Sequence, residues 1–450
     1  MIGRRLMFLS VVCFCSGANS EGVRAASPEF FPRPLPADGQ LLDPTPSAAT
    51  VSQNERRRAD EDALDRHADE LREALSRRLQ MLGDELTAEG YRSKRLIDHL
   101  AALAALYQEL GDHLLAVGAL DWALQLSRIH NGLYSLEDAA LLEPMIASVT
   151  ALEDYETARS LEQRLIELTF RNPDDPRVTL ILAASADRRL RETQRILEDE
   201  RAGQASFAIG MASAPTIVEQ PSLIRRREAL VSLWAARRQY AQAVAAGVRN
   251  GGYAVLDLLE LEEQMLSTYF LEMSHPELAP EQGRSPGLCV QGEAVIENSV
   301  GNVSRFRESP TAAASTLIKL ADWRLLCSRN GRALDTYDSA YASLLERGAA
   351  ADVVAELLSP QIPAAIPAVF RNSSTNGEEL PAYRGYVDVS FVVGKYGTAR
   401  DVEILGTSPG TSKAVARDLR AHIAGNRFRP RFVDGEPARA DRVEVRYYYR

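Results

Sequence analysis

Side chains suited to acid–base or covalent chemistry are thinly spread along this 450-residue chain. Its six histidines, His67, His99, His113, His130, His275 and His422, stand far apart. None pairs with another at the step of three or four residues that would put two metal ligands on one helical face. Beyond Cys13 and Cys15 in the apolar start, the cysteines are Cys289 and Cys327, with neither the spacing nor the histidines of a metal site. In an oxidising compartment this pair has two readings. A disulfide would close a loop of about 38 residues and contribute about 3–4 kcal/mol; two separate buried thiols fit equally well. No Gly-rich phosphate loop and no Gly-x-Ser-x-Gly elbow occurs, and Gly394-Lys395-Tyr396-Gly397 is spaced as a hairpin turn. The abundant carboxylates fall on solvated helical faces. The expectation is a protein with no catalytic residues, no metal and no cofactor. The chemistry left to it is main-chain hydrogen bonding.

That chemistry needs strands, and the last 65 or so residues supply them. Val387, Val389, Phe391 and Val393 alternate with Tyr386, Asp388 and Ser390, the period-two pattern of a half-buried strand. After Gly397 the alternation resumes with Val402 and Ile404 against Asp401 and Glu403. Val443, Val445, Tyr447 and Tyr449 then alternate with Arg442, Glu444, Arg446 and Arg450. Between them Val415, Leu419 and Ile423 recur every four residues, one face of a helix. A helix over one face of a small antiparallel sheet is the expected fold of 384–450.

The run Gly385–Leu405, the helix after it, Arg427-Phe428-Arg429-Pro430 and Asp434-Gly435-Glu436-Pro437 together resemble the C-terminal domain of TonB-family proteins. The resemblance implies a periplasmic domain that captures an extended segment of an outer-membrane transporter by adding it as a strand, so that main-chain bonds supply affinity. By the same resemblance the terminal strand is the docking edge, with Arg442, Glu444, Val445, Arg446 and Tyr448 as partner-binding residues. Proline at Val445 is then expected to remove a ladder donor and abolish capture. The charges on that strand would also deter promiscuous edge pairing. An edge already fully occupied by the protein's own backbone would overturn this reading. Phe428 and Pro430 are expected to hold their segment against the core, and Gly397 and Gly435 to supply turn geometry.

The start of the chain fits export. Arg4 and Arg5 precede the apolar run Leu6–Cys15, and Ala18-Asn19-Ser20 offers small residues at a cleavage site, so residues 1–20 read as a signal peptide. The run is about half of the ~20 residues that a spanning helix needs, and no permanent membrane span is expected. Residues 21–57 form a Pro-rich leader, with Pro28, Pro32, Pro34, Pro36, Pro44 and Pro46, expected to be extended and poorly ordered.

At 45% hydrophobic and 25% charged residues, the chain can bury a core larger than a single domain usually holds. Residues 384–450 carry 13 basic and 8 acidic side chains, a net +5, which leaves −15 of the total −10 on residues 1–383. So acidic a body argues against nucleic acid as partner. Lysine is scarce (Lys94, Lys319, Lys395 and Lys413), an arginine bias common in GC-rich bacteria.

Residues 58–358 read as a helical, tetratricopeptide-like region. Leu64, Ala68, Leu71, Leu75, Leu79, Leu82 and Leu86 form one apolar stripe. Leu100, Leu103, Ala104, Tyr107, Gly111, Ala116, Leu120 and Ala123 then fit a tetratricopeptide repeat, two antiparallel helices with small residues at the crossing. Leu142, Met145, Val149, Tyr155, Ala158 and Leu165 give a second copy. Leu230, Trp234, Tyr240 and Ala243 suggest a third, and Leu317, Leu320, Ala321, Ala333, Tyr337 and Ala340 a fourth. Wide intervals between copies make the array irregular. Ser127–Ser135 reads as a helix end turning at Asn131-Gly132. Tyr107, His113 and Trp234 suit either a peptide-binding face or ordinary packing. Residues 359–383, with four prolines around Asn372–Gly377, read as a linker.

The fold expected is therefore mainly α, a helical solenoid followed by a small α+β domain. The function expected is a periplasmic adaptor, the repeats binding one protein and the terminal sheet an extended peptide of another. TonB energy transducers join a permanent anchor to a long Pro-rich spacer, and here the apolar start is too short and helices replace the spacer. The alternative is a transducer whose signal stays uncut as an anchor. A periplasmic enzyme using the solenoid as a cleft, and a structural module closed by self-pairing, are further readings.

Overall fold

The computed structural model describes residues 30–34, 49–207, 221–251, 255–275, 278, 286–305, 310–358, 384–433, 435–439 and 442–449. The signal-peptide and linker expectations (1–20 and 359–383) lie outside the described residues. A short strand β1 (Phe30–Pro34) precedes the helices α1 (Ala49–Glu89), α2 (Leu96–Glu109), α3 (His113–Asn131), α4 (Ala139–Ala151), α5 (Tyr155–Arg171) and α6 (Arg177–Phe207). There follow α7 (Pro221–Asn250), α8 (Val255–Ser274), α9 (Pro286–Arg305), α10 (Pro310–Leu326), α11 (Asn330–Glu346) and α12 (Ala351–Leu358). The terminal domain holds β2 (Gly385–Val393), β3 (Ala399–Thr407), α13 (Lys413–Gly425), β4 (Arg431–Val433), β5 (Glu436–Ala438) and β6 (Val443–Tyr449). The chain is thus mainly α, a helical array followed by a small α+β domain.

Each helix of the array packs on its sequence neighbours, the arrangement that lets short repeats build one continuous core. In the first pair, Leu100, Leu103, Ala104, Ala116, Leu120 and Ala123 are all buried. Gly111 turns the chain at φ +79°, a conformation open to glycine at no steric cost. In the second pair Leu142, Met145, Val149, Ala158 and Leu165 are buried, and Asp154 caps α5 by accepting from Thr157 N at 3.1 Å. The fourth copy is the pair α10 and α11, with Ala321, Ala333, Tyr337 and Ala340 fully buried. The third copy is a correction. Trp234 and Tyr240 lie on one uninterrupted helix, α7, because no turn residue stands between them; its antiparallel partner is α6, whose Asp187 accepts from the Tyr240 hydroxyl. In α1, Leu71 and Leu82 are buried but Leu79 is exposed, so the apolar stripe is narrower than its spacing suggests. The turn at Asn131-Gly132 is present, with Gly132 at φ +90°.

Cys289 and Cys327 are bridged, their Cα atoms 5.9 Å apart, which ties α9 to the residue after α10. Beside them Trp323 is buried over Gly292 and donates from Nε1 to Cys289 O at 2.9 Å. None of the described helices is long and apolar enough to cross a membrane.

In the terminal domain, Val387, Val389, Phe391, Val393, Val445, Tyr447 and Tyr449 form one buried face under Leu419 and Ile423 of α13 and Phe428. Ser412 starts α13 by accepting from Val415 N. Phe428 packs on Phe391 with ring centroids 5.2 Å apart. Gly397, at φ +72°, lies so close to Phe428 that a Cβ there would meet its carbonyl oxygen at 2.3 Å.

Candidate functional site

The sheet order is β1-β6-β2-β3, all neighbours antiparallel. The leader, expected to be poorly ordered through residue 57, therefore contributes a strand at one end and the first turns of α1 at the other. Strand β1 pairs with β6 from Phe30↔Tyr449 to Pro34↔Val445. The vacant docking edge expected at β6 is overturned in this structure from Val445 to Tyr449, where the chain's own backbone covers the outer rim; Val443 and Glu444 lie beyond that pairing. Among the described residues, the other rim of the sheet, along β3, carries no strand.

Which β6 groups face that rim follows from register. In an antiparallel strand the N–H and C=O of one residue point the same way, and successive residues alternate. Tyr386 O accepts from Ser408 N at 2.9 Å, so Tyr386 directs its main-chain groups toward β3. Gly385, Val387 and Val389 then face β6, opposite Tyr449, Tyr447 and Val445. Those three odd-numbered residues are committed to β2, and Arg446 and Tyr448 face β1. Their partners there are Arg33 and Phe31, the N–H-bearing residues, while Pro32 and Pro34 fall at the positions that face away. This corrects the expectation for Val445. Its side chain is fully buried and its N–H belongs to the β6–β2 ladder, so proline there would break the domain's own sheet.

The remaining expected docking residues lie on the sheet face away from α13. Arg446 makes a bidentate pair with Asp388, Nε to Oδ1 at 2.7 Å and a second nitrogen to Oδ2 at 2.9 Å. Asp388 and Arg446 are direct cross-strand neighbours at the closer, non-hydrogen-bonded type of position. The guanidinium also sits 3.8 Å from the Tyr386 ring centroid, and Tyr386 meets Tyr448 edge-on at 6.2 Å. Hydrogen bonding to Asp388, against a smaller burial cost, holds the Arg446 pKa above the ordinary arginine value. Arg442 reaches Glu403 of β3 at 2.7 Å, and both line an open depression of about 550 Å³ with Val392, Asp401, Val402 and Arg439. Glu444 is exposed. Of the five residues, Arg442, Val445, Arg446 and Tyr448 are thus engaged with the sheet itself.

Sequence reasoning missed how this domain is held on the array. Arg429 of the Arg-Phe-Arg-Pro run enters the helical region and pairs with Asp322 of α10, Nε to Oδ1 at 3.1 Å and a second nitrogen to Oδ2 at 2.5 Å. Its remaining nitrogen donates to Leu357 O at 2.9 Å. Asp322 is fully buried and also accepts from the Tyr337 hydroxyl. Burial works against the Arg429 charge, but the Asp322 carboxylate more than offsets it and raises the pKa. Phe432 of β4 follows into the helical core, its ring 4.8 Å from that of Tyr337. Gly435, at φ +86°, lets the β4–β5 turn lie on the Tyr341 ring, where a Cβ would come within 2.5 Å. An arginine flanked by aromatic and proline residues beyond a domain's own core was the available signal.

In the array, Tyr107 packs against the core around α2–α5, which includes Leu103, Leu142 and Met145, His113 is part-buried, and Trp234 donates to Glu272 of α8 at 3.3 Å. An open groove of about 910 Å³ is lined by Tyr155, Arg159, Glu192, Arg195, Arg227 and Val231 among others. Its charges are partly matched, with Arg159 3.9 Å from Glu192 and Arg195 stacked 4.2 Å over the Tyr155 ring. Asp138, Glu162, Glu272, Glu293 and Asp322, all buried, each pair with an arginine. Among the described residues no group of three His, Cys, Asp or Glu could hold a metal ion. No protein-family model matches the chain, and no curated protein matches it in sequence.

Proposed function

We propose that this protein is a non-catalytic periplasmic adaptor: its helical array engages one protein, and its TonB-like terminal sheet takes an extended segment of another by strand addition. The β6 edge is no standing vacancy, since β1 lies on it. What carries the reading is that β6 takes as its neighbour a strand from the far end of the same chain, and capture of an outside segment then requires β1 to leave. A rim that accepts a non-contiguous segment through main-chain bonds has the chemistry of strand capture, in which side chains tune selectivity. Outward Arg446 and Tyr448 supply the donors and acceptors, while their neighbours bind the rim to the domain. The Arg429–Asp322 pair and Phe432 fix the sheet on the array, so a partner held at one surface is held in register with the other. Arginine pairing of Asp138, Glu162, Glu272, Glu293 and Asp322 supports the non-catalytic reading for these five; Glu262, held by Ser299 and Asn302, is the buried carboxylate it does not cover. The bridged Cys289–Cys327 pair and the signal-like start support an oxidising compartment.

A photo-crosslinking residue at Glu444, exposed and just past the end of the β1 register, tests the reading in cells. We expect adducts with an outer-membrane transporter or a soluble periplasmic protein, recovered with a mature chain beginning near Glu21. Adducts only with the chain itself would refute it.

A further inference from the structure

Strand β1 is more than a cover. Its sequence Phe30-Phe31-Pro32-Arg33-Pro34 places a residue with an N–H at each position facing β6 and, at positions 32 and 34 facing away, a residue without one. The inward positions satisfy Arg446 and Tyr448. The outward prolines remove two of the three outward donors, leaving that of Phe30, and among the described residues the sheet ends at β1. Proline also restricts φ before binding, which lowers the entropy lost when a segment is laid along the edge. The sequence fits both demands at once, that of a ligand for the rim and that of a stop.

Resting on the strand-capture reading above, we propose that Phe30–Pro34 is the resident ligand of the β6 edge and competes with outside segments for it. The same alternation describes the partner: an extended peptide with N–H groups at every second residue and proline or other donor-free contacts between. Tethered through residues 35–48, the leader competes at an effective concentration of ~1 mM. A free peptide with a Kd of ~0.5 mM or tighter should therefore bind at least threefold more weakly to the intact chain than to one whose leader cannot pair.

The test uses the full chain and a fluorescent synthetic peptide spanning Ser27–Asp38, with binding read by anisotropy. The variant is Phe31→Pro with Arg33→Pro, which removes the inward donors. A second variant with Phe30–Pro34 replaced by glycine and serine gives the same reading should the first lose its fold. Binding to either folded variant at least threefold tighter than to the wild type supports the resident ligand. A ratio below threefold with clear binding to both overturns it while leaving strand capture standing. Absence of binding to every protein overturns strand capture at this edge and the resident ligand with it.

Discussion

Replacing Arg429 with methionine isolates the contact that holds the two halves of this molecule together. The side chain loses two charge-assisted hydrogen bonds to Asp322 and one to Leu357 O. It also leaves the Asp322 carboxylate, which has no exposed surface, with the Tyr337 hydroxyl as its remaining hydrogen-bond donor here. Removing one partner of a buried pair costs about 3–5 kcal/mol, because the other charge stays buried and uncompensated. Asp322→Asn keeps an acceptor for Tyr337 but strands the guanidinium, which is slightly exposed and keeps Leu357 O; we expect about 2–3 kcal/mol. With both changes no charge is left unpaired, and the double variant should lose no more than the Arg429 variant alone. The coupling energy is then about 2 kcal/mol or more, well outside the few tenths by which independent sites depart from additivity. Urea unfolding followed by tryptophan fluorescence reads it, since Trp323 is buried next to Asp322. A coupling below about 0.5 kcal/mol would refute the claim that this pair docks the terminal domain.

Two further outcomes follow from the core. Gly292→Ala would place a Cβ 2.0 Å from Trp323 Cζ2, so we expect a loss of about 1–3 kcal/mol and a red-shifted tryptophan emission; wild-type stability and emission would disprove the packing. Glu262 is buried on α8, and burial raises its pKa above the ordinary 4.5 despite hydrogen bonds from Ser299 and Asn302. The folded state thus holds this proton more tightly than the unfolded state, and stability falls as pH rises from about 4.5 through the raised value. Glu262→Gln removes that cost. The variant should be more stable than wild type at neutral pH, with the gain shrinking as pH is lowered toward 4; a pH-independent difference would contradict the burial argument.

Much of the helical array was legible because helix pairing leaves a local trace. Ala104, Ala116, Ala123, Ala158, Ala333 and Ala340 are small where helices cross, and all are buried. The third repeat failed for the complementary reason: spacing of three and four residues fits one long helix as well as two short ones, and only a breaker between Trp234 and Tyr240 could have told them apart. In the terminal domain, alternation identified Val445, Tyr447 and Tyr449 as core. It could not say which main-chain groups face outward. That depends on how β6 registers with β2, and β2 with β3 through Tyr386 and Ser408.

The amino-acid sequence alone determined the types of element, most of their buried faces and the absence of recognisable catalytic motifs, because these rest on spacings of two to four residues. The tertiary structure alone decided which elements meet. Phe30–Pro34 reads only as an extended Pro-rich leader, yet it completes a sheet built from the last residues of the chain. Asp322 reads as one more helical carboxylate, yet it anchors Arg429. The cost of closing a loop grows only with the logarithm of its length, so distance along the chain scarcely limits such partnerships, and local pattern carries no record of them.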